Sequence, residues 1–340
     1  MKDEETLKYW ETERPTGRLK RDNTEILLHC IGVIKGFYDP YKHTLSDLSK
    51  QYKQELKNID SKEKLKEFIK EIIDYAKIYK EKIITLSKGE TYSFDDSIKR
   101  LFHILEVLEI STFHPFILFV FKKYNDEEKI KKTLFELEKF IVRNMLGEIE
   151  SDKNYSKLCK QFIDDLNSLT NKLNEMEWSK VSTGLRKVSS REAKLLLFWV
   201  ELYRRYKDSR YDEKELKYEY ELEHIMPIKW EEHWGFNYVP HPNNSLTPEE
   251  QKKDRNEKVR WLGNMTLLKS SLNKKIRNNR FDIKMEGDGR QKGIKHYATL
   301  SITRGDIVEP YERRDKVWDE SKIEERTKKL EEEIKEIWGN

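Results

Sequence analysis

Cysteine is nearly absent from this chain: among 340 residues only Cys30 and Cys159 carry a thiol, far apart and without thiol neighbours. A disulfide framework and a four-cysteine zinc ribbon are both excluded, so any metal must be held by oxygen and imidazole. Long apolar runs are missing as well. Leu195 to Val200 falls far short of the roughly 20 residues that a membrane span requires. Met1-Lys2-Asp3-Glu4-Glu5 opens neither a charged n-region nor an apolar h-region, so no signal peptide is expected and a cytoplasmic setting is. A strong imbalance of charge is lacking too. The 67 Lys and Arg residues against 63 Asp and Glu leave a net charge of +4, which says little about partners by itself. Neither a repeat of fixed period nor a low-complexity tract occurs.

What is present is charge in bulk, 38% of residues against 36% hydrophobic, a helix-rich soluble composition with room for about two domains. From about residue 24 to 210 the chain reads as successive helices. Ser61 caps a helix to Tyr79 in which Leu65, Phe68, Ile69, Ile72, Ile73 and Ala76 recur at helical intervals. Helices are likewise predicted from Phe94 to Leu108, after His114-Pro115, from Asp126 to Arg143, from Tyr155 to Leu173 and from Arg191 to Tyr206. The expectation for residues 1–210 is a helical, bundle-like domain. His29, His103 and His114 fall within it and read as packing or capping residues.

Near Arg210 the pattern changes. Tyr218, Tyr220 and Leu222 alternate with charged residues, a strand that Pro227 ends. A Pro- and Asn-bearing stretch from Lys229 to Val259 follows, mostly loop, with a short helix from Pro248 to Arg255. Leu262 to Leu268 reads as a turn into a second strand, and Ser270 or Ser271 caps a helix through about Arg280. A last amphipathic helix is predicted from Asp315 to Trp338. Residues 211–340 are therefore expected to form a small second domain in the order strand, loop, strand, helix.

Its chemistry-bearing residues are Glu223 and His224 at the strand end, then Asn264, and then Asn273 nine residues further on. Cutting a phosphodiester requires a nucleophilic water, a base for its proton, and positive charge for the crowded phosphorane and the departing oxygen. His224 is the candidate base, because its unperturbed pKa lies near neutrality. Glu223 and the Asn273 carbonyl are hard oxygen donors that favour Mg²⁺ or Mn²⁺. A regular strand sends residues 223 and 224 to opposite faces, so they converge only where the strand ends. Helical spacing of Asn273, Arg277 and Arg280 predicts one face lined with guanidinium groups for phosphate. Lys274 and Lys284 belong to the same stretch, Lys269 to Lys295, which holds nine basic residues against three acidic ones and suits a polyanion. Trp230, Trp234 and Trp261 suit a nuclease core better than base stacking.

Taken together, Glu221-Leu222-Glu223-His224-Ile225-Met226-Pro227, Leu262-Gly263-Asn264-Met265-Thr266-Leu267-Leu268, Asn273 and Phe281 to Lys284 resemble the HNH nuclease domain at the C-terminus of GmrSD-type, or type IV, restriction enzymes. The resemblance covers about residues 215–338 and includes Trp318, Ile323, Arg326 and Leu330. It implies a ββα-metal fold of the HNH, or His-Me finger, kind. Within that fold His224 is the general base, Glu223 and Asn273 bind the metal, and Asn264, the second motif residue of the catalytic constellation, mainly holds the loop. The last motif position is Asn rather than His, which speaks against zinc or nickel. The region before residue 210 is similar to the middle segment of such enzymes, and their nucleotide-binding part is expected on a separate chain or a missing segment. The implied activity is metal-dependent DNA cleavage or nicking in restriction of foreign or modified DNA, with a non-catalytic DNA-binding or assembly subunit as the alternative.

Overall fold

Side-chain caps fix many of the helix starts in the computed structural model, which describes residues 2–16, 19–87, 89–276, 278–313 and 316–339. Asp22 accepts from Glu25 N ahead of the helix Asn23–Lys35, Ser61 accepts from Lys64 N ahead of Lys62–Lys82, and Ser189 and Glu192 close a capping box ahead of Ser190–Lys207. The chain is mainly helical, as its composition suggested, with six short strands among the described residues paired two by two. None of the described helices is long and apolar enough to cross a membrane.

Two compact units form, the first from residues 1–86, 97–141 and 149–176, the second from residues 87–96, 142–148 and 177–340. Strands β1 (Glu13–Thr16) and β2 (Leu19–Asp22) pair antiparallel at the start of the first unit. Its helices bury Ile26, Cys30, Leu101, Ile104, Phe116 and Ile117, and the rings of Phe113, Phe140 and Phe162 meet with centroids 5.4 to 6.1 Å apart. The stretch predicted as one helix from Tyr155 to Leu173 is two, Tyr155–Asp164 and Asn167–Glu175, because the chain turns extended at Asp165.

Two histidines of this unit tie its stability to pH. Burial holds His29 and His114 down at about 4, with Arg21 adding to the effect on His29 and Arg14 to that on His114. An unfolded imidazole titrates near 6.5, so between about pH 6.5 and 4 the unfolded chain binds more protons and stability falls as pH is lowered. One such shift corresponds to on the order of 3 kcal/mol. The melting temperature should therefore drop between pH 6.5 and 4, and the drop should be shallower in His114→Gln; identical pH profiles for the two proteins would remove His114 from the effect.

In the second unit β3 (Thr91–Ser93) pairs with β4 (Glu215–Lys217), and β5 (Tyr220–His224) pairs antiparallel with β6 (Met265–Lys269), Glu223 opposite Thr266 and His224 opposite Met265. Helix Ser270–Ile276 follows β6 directly, so strand, strand and helix occur in the expected order. The core beneath β5 and β6 joins Ile225, Met226, Trp230, Trp234, Leu268 and Phe281 to Trp318 and Ile323. The closing helix begins at Glu320, where Asp319 caps it by accepting from Ser321 N and Lys322 N; the predicted start at Asp315 lies outside the described residues.

That helix clamps the turn before β6. Arg326 is buried and donates to the carbonyls of Gly263, Met265 and Ile302, at 2.7, 2.6 and 2.8 Å. Thr327 Oγ1 accepts from Gly263 N at 3.1 Å. A Cβ at Gly263 would collide with the carbonyl oxygen of Ile323 and come within 2.7 Å of Thr327 N, both backbone atoms of a helix that cannot yield. Gly263→Ala is expected to cost about 3 kcal/mol or more, read as a lowered urea midpoint.

Candidate nuclease site

β5 presents its side chains alternately, so the Glu-His pair is split between two environments. On one side, Glu223 Oε1 accepts from Lys284 Nζ at 2.5 Å, and the same ammonium donates to His224 O at 2.7 Å. Lys284 is 0% exposed, on the short helix Phe281–Glu286. Burial pushes the Glu223 carboxyl up and the Lys284 ammonium down, while their mutual attraction opposes both shifts. Lys284 was expected to face nucleic acid. It cannot: its charge is spent inside the fold, fixing Glu223 and the end of β5.

On the other side, His224 lines an open cleft of about 950 Å³ together with Arg186, Lys187, Lys252, Lys253, Arg260 and Trp261. Neither Glu223 nor Asn273 lines this cleft. Burial pushes the His224 imidazole down to about 4, and the positive charges of Lys284 and Arg260 add to the depression. At neutral pH the ring is therefore uncharged and has a nitrogen free to accept a proton. Arg260 is exposed and makes no ion pair among the described residues, while the Arg186 guanidinium lies 5.2 Å from the Trp261 ring centroid.

Asn273 does return to the strand. Its Nδ2 donates to Leu222 O at 3.2 Å and to Glu221 Oε2 at 3.4 Å. Its Oδ1 and Glu223 Oε2 make no hydrogen bond among the described residues, which hold no cluster of three or more His, Cys, Asp or Glu able to bind a metal. Two hard oxygens of this kind fit magnesium, which keeps several waters and takes substrate phosphate rather than a full protein cage. The donor chemistry is thus compatible with Mg²⁺ or Mn²⁺.

Asn264 is 0% exposed and fully engaged, so the catalytic label suggested by its motif position does not hold. Its Nδ2 donates to Met226 O at 2.7 Å and Val259 O at 2.8 Å, and its Oδ1 accepts from Met226 N at 2.9 Å and Trp318 Nε1 at 3.1 Å. It is the brace that ties the end of β5 to the turn before β6. The predicted guanidinium face is also corrected at Arg280. Helix Ser270–Ile276 stops before that residue, and Arg280 instead precedes the next helix, 4.2 Å from the Tyr238 ring centroid and 3.2 Å from Asp282. Arg277 and the side chain of Lys274 lie outside the described residues. Trp230 and Trp234 are buried core residues, as expected, whereas Trp261 is half-buried at the cleft.

The basic residues of the cleft were not singled out from the sequence. Lys252, Lys253 and Arg260 come from the helix Pro248–Lys258 and the turn after it, and Arg186 and Lys187 from a turn far earlier in the chain. The adjacent lysines at 252 and 253 were the visible signal, but nothing local ties them to His224.

Residues 170–333 match the family model for the C-terminal domain of the GmrSD restriction endonucleases, the family that the motifs resemble. No curated protein matches the chain. The matched region is accordingly similar to the C-terminal domain of restriction endonucleases.

Proposed function

We propose that the second unit is an HNH-type, ββα-metal DNA endonuclease or nickase dependent on a divalent metal, acting in restriction of foreign or modified DNA. The observation that carries the reading is His224 at the end of β5 facing a cleft of exposed cations, within a region that matches a restriction-endonuclease family. His224 accepts the proton of the attacking water. Arg260, beside His224 and without a carboxylate partner among the described residues, meets the negative charge that grows on the phosphate, and Lys252, Lys253, Arg186 and Lys187 hold the flanking backbone. Glu223 and Asn273 would hold Mg²⁺ or Mn²⁺, which when bound supplies Lewis-acid stabilisation of the phosphorane and the departing oxygen. Because Glu223 and His224 leave β5 on different faces, the scissile phosphate must sit over the strand's end, where both can be reached. Asn264 and Lys284 act through position: one fixes the loop after β5, the other the Glu223 carboxylate. A nucleotide-binding partner chain or segment is part of the same reading.

The test is incubation of supercoiled plasmid, unmodified and modified, with the full chain and Mg²⁺ or Mn²⁺, with and without nucleotide. Nicked circles that disappear on chelation are expected. DNA binding without cleavage in every combination would overturn the catalytic reading in favour of a binding or assembly subunit.

A further inference from the structure

The first unit encloses a cavity of about 300 Å³ that nuclease chemistry does not use. Arg21, His29 and His114 line it together with the hydroxyls of Ser111, Thr112 and Ser156, and none of its lining residues is an Asp or Glu. Arg21 is 7% exposed, and its Nη2 donates to Glu25 O at 3.2 Å. Its Nε lies 3.2 Å from Glu25 Oε1 but without hydrogen-bond geometry. Arg21 Nε, His114 Nδ1 and the neighbouring Arg14 Nε are all buried nitrogens with no hydrogen-bond partner among the described residues. A buried nitrogen left unpaired is costly, so two of them on the wall of one cavity, Arg21 Nε and His114 Nδ1, mark a place built for an acceptor.

Backbone electrostatics point the same way. The ten-residue helix His114–Lys123 starts at this cavity, with Phe113 at its N-cap and no side chain capping it. Its first turn brings the positive end of the helix dipole to the cavity but no free N–H: His114 N donates to Ser111 O at 3.2 Å, Pro115 has none, and Phe116 N serves the Cys159 thiol. Glu25 forms an ion pair with Arg21 from an exposed position, and Asp47, the carboxylate that acts on Tyr38 of the cavity wall, already accepts from Thr44 at 2.9 Å. Burial, and to a smaller extent the charges of Arg21 and Arg14, hold His29 and His114 below the usual imidazole range, so both are neutral lining groups at pH 7.

We propose that this cavity binds a phosphate group, free or as the monoester of a nucleotide, with the Arg21 and His114 side chains as its donors. The full chain should be titrated calorimetrically with inorganic phosphate and, separately, with a nucleoside 5′-monophosphate, using chloride at matched ionic strength as control. Saturable binding of one equivalent is expected, absent with chloride. Arg21→Gln and His114→Gln should each weaken it about tenfold or more, the loss of one charge-assisted hydrogen bond. Because Arg21 also supports β2, Ser156→Ala serves as a third, structurally mild variant with a smaller loss. Melting curves of all three establish that the variants are folded. Tighter binding of the monophosphate than of inorganic phosphate identifies a nucleotide as the source, and equal binding identifies free phosphate. No saturable binding of either, or unchanged affinity in folded Arg21→Gln and His114→Gln, overturns the proposal.

Discussion

Replacing His224 with alanine should lower plasmid nicking about 100- to 10,000-fold, the usual loss on removing a positioned general base. The side chain is half-buried at the end of β5, and its backbone carbonyl, which accepts from Lys284 at 2.7 Å, survives the substitution. The melting temperature should therefore hardly move. DNA affinity, measured with the metal chelated, should also persist, since the cleft keeps Arg186, Lys187, Lys252, Lys253 and Arg260. A fall in turnover with unchanged binding is the signature of a group that acts in the transition state. Arg260→Gln should weaken both turnover and binding, because a guanidinium facing phosphate contributes before and during the reaction. If His224→Ala nicks as fast as the unaltered protein, His224 is not the base. If it loses binding in proportion to turnover, the imidazole holds substrate instead.

Much of this site was legible because its elements are local. Alternation of Tyr220, Leu222 and His224 with Glu221 and Glu223 is visible by eye, Pro227 marks where β5 can no longer continue, and the capping residues Ser61 and Asp126 sit before the helices they start. What could not be read depends on pairing across the chain. Strand β3 has three residues and acquires its identity only from Leu216 and its neighbours, which lie more than a hundred positions later. Lys284 looked like one cation in a basic stretch, and only the fold places it against Glu223, 61 residues away. The helix after β6, expected from a Ser270 or Ser271 cap through about Arg280, ends at Ile276, before Asn278 and Asn279, residues that favour turns over helix interiors. An asparagine after Gly263 suits a turn, so the bracing part of Asn264 was open to local reasoning, whereas its four buried hydrogen bonds come from the fold.

The stretch from Lys229 to Val259 had no assignable role in the sequence, and Arg255 supplies one. Its Nη1 donates to Trp234 O at 2.7 Å and its Nη2 to Val239 O at 2.8 Å, while Nε and Nη2 pair with the carboxylate of Glu320 at the start of the closing helix. The guanidinium lies 4.3 Å from the Phe236 ring centroid and 5.0 Å from that of Trp230. Both charges are 0% exposed. Arg255→Met keeps the bulk but strands two carbonyls and leaves the buried Glu320 carboxylate with only His241 Nε2, 4.0 Å away, beside it, a change expected to cost about 3–5 kcal/mol in urea unfolding. Adding Glu320→Gln should recover part of that loss, because the charge no longer has to be buried alone; a double variant as unstable as the sum of the singles would mean that the two side chains act independently. The same substitution should weaken DNA binding although Arg255 cannot touch DNA. The helix Pro248–Lys258 carries Arg255 on its buried side and Lys252, Lys253 and Asn256 on the cleft, so loosening the anchor loosens the cations that face His224.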